Sequence, residues 1–289
     1  MNIDINELVT RVGRGVLVFC EREKRGDESI YSRWFSDYST RVTFEASDGL
    51  SVVGRNVEYI RQTRPSLPAY GLLDRDFSPD DEIKAKREGG FQGPIFRLDR
   101  YTIENYLLEP AGWLEVVKAL HICERMPEGW GNEDEIATHI SSFYVNAMPA
   151  AAHNWTIWEM RRRFRGEQGY EDLDYFGGIR ALDNTDPEAR LSAWAEKFGQ
   201  VEIARTLFAE RRDHLEELSE STPDKLACYV SGKFVLDQIQ EHIPVPTKWR
   251  PPREDLLYRY LDKTQKTPPD DVLAIIERML ELAEKAEPQ

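Results

Sequence analysis

A chain of 289 residues with 40% hydrophobic side chains can bury one large core or two small ones, which excludes a disordered protein. Its formal net charge of -14 argues against coating nucleic acid through the overall field, because counterion release favours phosphate binding only where cations cluster. Cys20, Cys123 and Cys228 are widely spaced without a C-x-x-C pair, so neither a disulfide framework nor a thiolate zinc site is expected, and a reducing cytoplasm fits. The polar start MNIDINELVTRVGRG predicts no signal peptide, and no apolar run of about 18 residues predicts a membrane span.

In chain order, GVLVFCE (15–21) is a short valine-rich run that reads as a buried strand ending on a carboxylate. DESIYSRWFSDY (27–38) places Ile30, Trp34, Phe35 and Tyr38 at helical spacing. RVTFEA predicts a second strand, SDGLSVVG a glycine-containing loop, and NVEYIRQTR a second helix ending before Pro65. AYGLLD predicts a third strand, 77–93 a long polar loop, and PIFRLD a fourth strand. Strands alternating with helices imply a mainly parallel sheet in an α/β domain.

From Tyr101 the strand signals fade. AGWLEVVKALHICERM, DEIATHISSFYVNAM, NWTIWEMRRRF, LSAWAEKFG, QVEIARTLFAERRDHLEEL and KFVLDQIQEHI are amphipathic at helical spacing, as are REDLLYRYLDK and DDVLAIIERMLELAEKA. Prolines at 244–252 and 268–269 mark connectors to two terminal helices. Three basic clusters, EMRRRFRGE (159–167), AERRDH (209–214) and PTKWRPPRE (246–254), are either basic strips on an acidic body or solvated faces.

In a parallel α/β sheet, ligands bind beyond the carboxyl ends of the strands, and three predicted strands end on acids: Glu21, Asp74 with Asp76, and Asp99. Asp74 and Asp76 project to one side if strand geometry continues through them. Two carboxylates that close repel unless a cation lies between them, and hard oxygen ligands of this kind suit Mg²⁺. The competing reading of DRDFSPDD is a polar turn in which Asp caps the chain. In RLDRYTIENYLLEP (97–110), Glu104 and Asn105 interrupt an apolar stretch, so Glu104 is either a third ligand or a first-turn helix acid. His121, His139, His153, His214 and His242 have no metal-ligand spacing and read as structural, and no P-loop or G-x-G-x-x-G loop is present.

The strand ending in Glu (VLVFCE), the strand ending in D-x-D (YGLLDRD) and RYTIENYLL, in that order, resemble the TOPRIM fold. Among its branches the chain is most similar to the OLD-like TOPRIM family with an I-E-N-Y-L-L segment. YVSGKFVLDQI (229–239) resembles that family's late glycine-lysine element. The chain also resembles the TOPRIM nuclease effector that works beside an ABC-type ATPase in the PARIS anti-phage system. The resemblance covers residues 15 to 240 and implies a TOPRIM-like core at 1–110, a helical insertion at 111–225, a return to the core at 226–245 and a helical tail at 246–289.

It further implies Glu21 as a metal ligand or general acid/base, Asp74 and Asp76 as the Mg²⁺ or Mn²⁺ pair, Glu104 as a further acidic ligand, and Lys233 as a cation for the charged transition state. The implied activity is a Mg²⁺-dependent nuclease on tRNA or DNA, a toxic effector under a partner ATPase and a homodimer when active. The chain departs from the pattern after Glu21, where Arg22 and Arg25 replace the usual glycine and acid; Asp27 takes the acid's place after a two-residue insertion. Two other classes compete. GLLDRDFS resembles the haloacid-dehalogenase phosphatase motif, but on the third strand rather than the first; a nucleotide-sugar transferase with a metal D-x-D has nothing else in its favour. A TOPRIM-like adaptor without chemistry, binding an ATPase, is the non-enzymatic alternative.

Overall fold

A computed structural model describes residues 12, 15–21, 27–90, 93–121, 125–164, 175–177, 185–246, 251–264 and 267–286. They fall into two compact units, one of residues 1–99 with 264–289 and one of residues 100–263. These boundaries differ from those the sequence suggests: segment 226–245 groups with the helices, and the last helix groups with the sheet. No helix among the described residues is long and apolar enough to cross a membrane.

The first unit is α/β. Strands β1 (Val16–Glu21), β2 (Val42–Ser47), β3 (Ala69–Leu73) and β4 (Ile95–Arg97) form one sheet in the order β2-β1-β3-β4, with every neighbouring pair parallel. Between them run α1 (Asp27–Trp34), α2 (Leu50–Thr63) and α3 (Asp80–Glu88), and α10 (Asp270–Ala286) packs on β1. β1 and β3 are buried on both faces, as parallel strands between helical layers are, so they read as unbroken apolar runs without alternation. On one face Leu17, Phe19, Ala69 and Leu73 meet Val53, Val57 and Ile60 of α2. On β2, Phe44 stacks on Tyr31 of α1 with ring centroids 5.3 Å apart.

Gly71 lets α2 approach the sheet. A Cβ there would lie 2.6 Å from Ile95 Cδ1 and 2.8 Å from Val53 Cγ1. Two sequence expectations change in this unit. The supposed loop SDGLSVVG is helical from Leu50, with Gly49 supplying the positive φ of 81° that starts α2 and Gly54 inside it. The supposed loop 77–93 contains α3, which buries only Ile83 and so lacks an apolar stripe; its acids Asp80, Asp81 and Glu82 in the first turn and Lys86 and Arg87 in the last favour the helix through its dipole.

The second unit is helical: α4 (Pro110–Leu120), α5 (Glu133–Arg163), α6 (Pro187–Glu196), α7 (Val201–Ser221), α8 (Gly232–His242) and α9 (Arg253–Lys263), with 3-10 turns at Ile103–Leu107 and Pro223–Cys228. The two helices expected at 134–148 and 154–164 are one, running through Pro149. Proline inside a helix costs about 3 kcal/mol. Burial of Ala147, Met148 and every residue from Ala150 to Ile157 offsets that cost. Within this core Asn154 takes both backbone groups of Phe176, accepting from its N–H at 2.7 Å and donating to its carbonyl at 2.9 Å.

His153 is fully buried, with Nδ1 facing Asn154 Oδ1 at 3.3 Å and Nε2 without a hydrogen-bond partner among the described residues. Burial lowers its pKa to about 4, the Asn154 contact opposing. The folded state thus prefers the neutral ring, while the unfolded chain takes up a proton at the ordinary histidine pKa of about 6.5. Its contribution is present above that pH and is lost as pH falls toward 4.

Two predictions follow from packing and burial. Gly71→Val should lower stability by about 1–3 kcal/mol through overpacking, whereas Gly54→Ala, with nothing within 4 Å of its Cβ, should raise it by up to about 1 kcal/mol; urea unfolding of both variants measures the contrast. In wild type, urea midpoints should fall between pH 6.5 and 4, and His153→Phe should flatten that decline by at most about 3 kcal/mol; an unchanged decline would refute the assignment.

Candidate active site

Parallel strands all deliver their carboxyl ends to one edge. In the order β2-β1-β3-β4 the chain leaves β1 to one side for β2 and crosses to the other for β3, so the β1–β3 boundary is the topological switch point, where crevices open in such sheets. Glu21 is the last residue of β1, and Asp74 directly follows β3, the strand paired with β1. Two acids of the sequence analysis thus sit at the switch point on neighbouring strands. Asp74 is buried and Asp76 half-buried.

Strand geometry does not continue through the D-R-D element. β3 ends at Leu73, and Asp76 has φ 48°, the one positive φ among the described non-glycine residues. Aspartate tolerates this left-handed state better than most residues do. Asp74 and Asp76 therefore belong to a turn, and the expected same-side projection from a strand does not apply.

Arg75, between them, is 3% exposed. Its Nε donates to Ser78 O at 3.1 Å, its Nη1 to Asp99 O at 3.0 Å, and its Nη2 to the carboxylate of Asp80. Arg97 Nη1 donates to Asp74 O at 2.8 Å. Two arginines thus brace the turn against the end of β4. Burial raises the pKa of Asp99, with the Asp271 charge adding and Arg87, its ion-pair partner, opposing. Asp27 is the first residue of α1, its side chain outside the described set, and Arg22 and Arg25 lie outside the described residues.

In the helical unit, Glu104 and Asn105 lie in the 3-10 turn Ile103–Leu107, 5% and 0% exposed. The Asn105 amide is a hub. Its Oδ1 accepts from Thr102 N at 2.9 Å, Thr102 Oγ1 at 3.0 Å and Gly232 N at 3.0 Å, while its Nδ2 donates to Tyr144 Oη and Val230 O, both at 2.9 Å. Burial drives the Tyr144 hydroxyl pKa up, so it stays protonated.

Gly232 fits because it has no side chain: a Cβ would lie 2.5 Å from Asn105 N and 2.8 Å from Glu104 C. Residues 104 and 233 thus flank one backbone contact. Lys233 is the half-buried second residue of α8, a position where the helix dipole disfavours a cation. Ser231 caps the same turn, accepting from Lys233 N at 3.3 Å.

Sequence reasoning passed over Arg75, Arg97 and Tyr144. An arginine inside D-x-D, next to a fully apolar strand, was the available signal for the first. Among the described residues no group of three or more His, Cys, Asp or Glu is placed to hold a metal ion, so Glu21, Asp74 and Asp76 do not form a three-carboxylate cluster. Mg²⁺ needs only one or two protein carboxylates, and the donor chemistry of the Asp74 turn fits that requirement. No family model matches the chain, and no curated protein is significantly similar to it.

Asn105→Leu should strand the polar groups of Thr102, Tyr144, Val230 and Gly232 and cost at least about 3 kcal/mol, measured by urea unfolding. Gly232→Ala should be destabilising as well, through the backbone clash.

Proposed function

We propose that the chain is a Mg²⁺-dependent nuclease of the OLD-like TOPRIM kind that cleaves phosphodiester bonds of tRNA or DNA. The observation that carries this reading is the placement of Glu21 at the end of β1 and of Asp74 directly after the neighbouring parallel β3, at the switch point of the sheet. A phosphatase that forms a phosphoaspartate needs one aspartate nucleophile and gives Glu21 no role.

Asp74 and Asp76 would hold Mg²⁺ or Mn²⁺; the resemblance also assigns Glu104 and Asp27 to the acidic set, but Glu104 does not group with the pair among the described residues. When bound, the ion lowers the pKa of the attacking water and offsets charge on the phosphoryl oxygens. Glu21 would take the proton the water loses as its oxygen bonds phosphorus and the bond to the leaving oxygen breaks, the leaving oxygen keeping the electron pair and taking a proton from solvent. The resemblance would give Lys233 the task of neutralising the added negative charge. Arg75 and Arg97 keep the Asp74 turn in place without reorganisation. The setting the resemblance implies is cytoplasmic anti-phage defence, with the nuclease acting as a toxic effector and homodimer under an ABC-type ATPase.

The purified protein, incubated with total tRNA and with plasmid DNA, should cut at least one of them in Mg²⁺ and neither in EDTA. Asp74→Asn and Glu21→Gln should each lower the rate by at least about 100-fold. Cutting that survives both substitutions, or no metal-dependent cutting of either polymer, would overturn the proposal, and the second result would favour the adaptor.

A further inference from the structure

Two of the three basic clusters come together in the helical unit. The end of α5 carries Arg161, Arg162 and Arg163, and the middle of α7 carries Arg211; α5, α6 and α7 all pack on one another. Four arginines here lie over aromatic rings: Arg161 over Tyr175 at 4.8 Å, Arg162 over Trp158 at 5.3 Å, Arg190 over Phe176 at 4.7 Å and Arg211 over Trp155 at 5.4 Å. All four pairs lie between residues 155 and 211, within the distance at which a guanidinium is attracted to a ring face.

Glu159 adds a second device. Its carboxylate is 5% exposed and receives Arg162 Nε and Nη2 at 3.1 and 2.9 Å and Arg163 Nε at 2.8 Å, while the two arginine side chains remain 64% and 48% exposed. One buried negative charge thus fixes two exposed positive ones and leaves a net excess of cation. The carbonyl end of α5 also favours these arginines, but it acts within the last turn and does not account for Arg190 or Arg211. Stacking and clamping remove rotamer freedom in advance, which lowers the entropy cost of gripping a rigid anion. Acids such as Glu188 and Glu196 on α6 and Glu210 and Asp213 on α7 lie on the same helices, so the positive excess is confined to the end of α5.

We propose that the face formed by the end of α5, α6 and the middle of α7 binds the phosphodiester backbone of a nucleic acid. The choice of polymer rests on the nuclease reading. The surface itself rests on the arginine geometry. The guanidinium forks match phosphate oxygens, and their planes accept an unpaired base as a stacking partner.

The test is fluorescence anisotropy in EDTA, where no cleavage intervenes, with labelled single-stranded RNA, duplex RNA and duplex DNA over a salt series. Wild type should bind at least one polymer with a negative slope of log affinity on log salt. Arg161→Glu/Arg211→Glu should weaken that binding by at least about 10-fold and shorten the slope by about 1.4 for a single strand, or about 1.8 for duplex DNA. Arg55→Glu/Lys84→Glu, an equal charge change at exposed sites on α2 and α3, should leave it within about 3-fold. Arg161→Gln/Arg211→Gln repeats the comparison should the glutamate variant fail to fold.

Equal binding by the two double variants would overturn the proposal. So would wild type binding none of the polymers, a result that points to an acidic protein partner instead. Binding lost with the arginines in a chain that never cleaves would retain this surface and remove the nuclease reading. Cleavage that persists unchanged in Arg161→Glu/Arg211→Glu would do the reverse.

Discussion

Parallel pairing of β1 with both β2 and β3 is the constraint on which the rest of the sheet unit depends. An antiparallel partner would send the end of β3 to the opposite edge and separate Asp74 from Glu21 by the length of a strand. Parallel pairing instead requires a crossover after each strand, and those crossovers cover both faces with helices. The cost is that the strands must be apolar throughout. In β1 and β3 a charged group comes only at the strand's end, where Glu21 is half-buried and Asp74, one residue past β3, is still buried.

A second constraint acts in the helical unit. A buried primary amide is tolerated only when its donors and acceptor are used, and Asn105 gives both donors and accepts three bonds. Its partners come from its own turn, from α5 and from the start of α8, so one side chain fixes the register of three elements. Backbone contact at Gly232 closes the same joint without any side chain. Glu104 and Lys233 are carried on the two halves of that joint, which makes their spacing a property of backbone packing rather than of long flexible side chains.

The fold class and the β1–β3 strand runs were legible in the sequence because parallel strands buried on both faces leave continuous apolar text. The helix at 80–88 was not, since it buries one residue and its evidence lies in charge placement at its two ends. Pro149 reads as a break, and only the buried surface on both sides of it keeps α5 whole. Within the candidate site, the acids were visible as residue types at strand ends. The turn at Asp76 was not, because a left-handed aspartate has the same letter as an extended one. Nor could sequence show that Arg161 and Arg211, fifty residues apart, sit on helices that pack together.

Arg75 shows how one guanidinium can organise the turn that carries an acidic pair. Its guanidinium reaches two carbonyls and a carboxylate that lie in different directions, Ser78 O, Asp99 O and Asp80. A lysine ammonium is a single point and could not span them, whereas the planar fork does so with separate nitrogens. The guanidinium thereby ties the turn after β3 to the end of β4 and stabilises the backbone that presents Asp74 and Asp76.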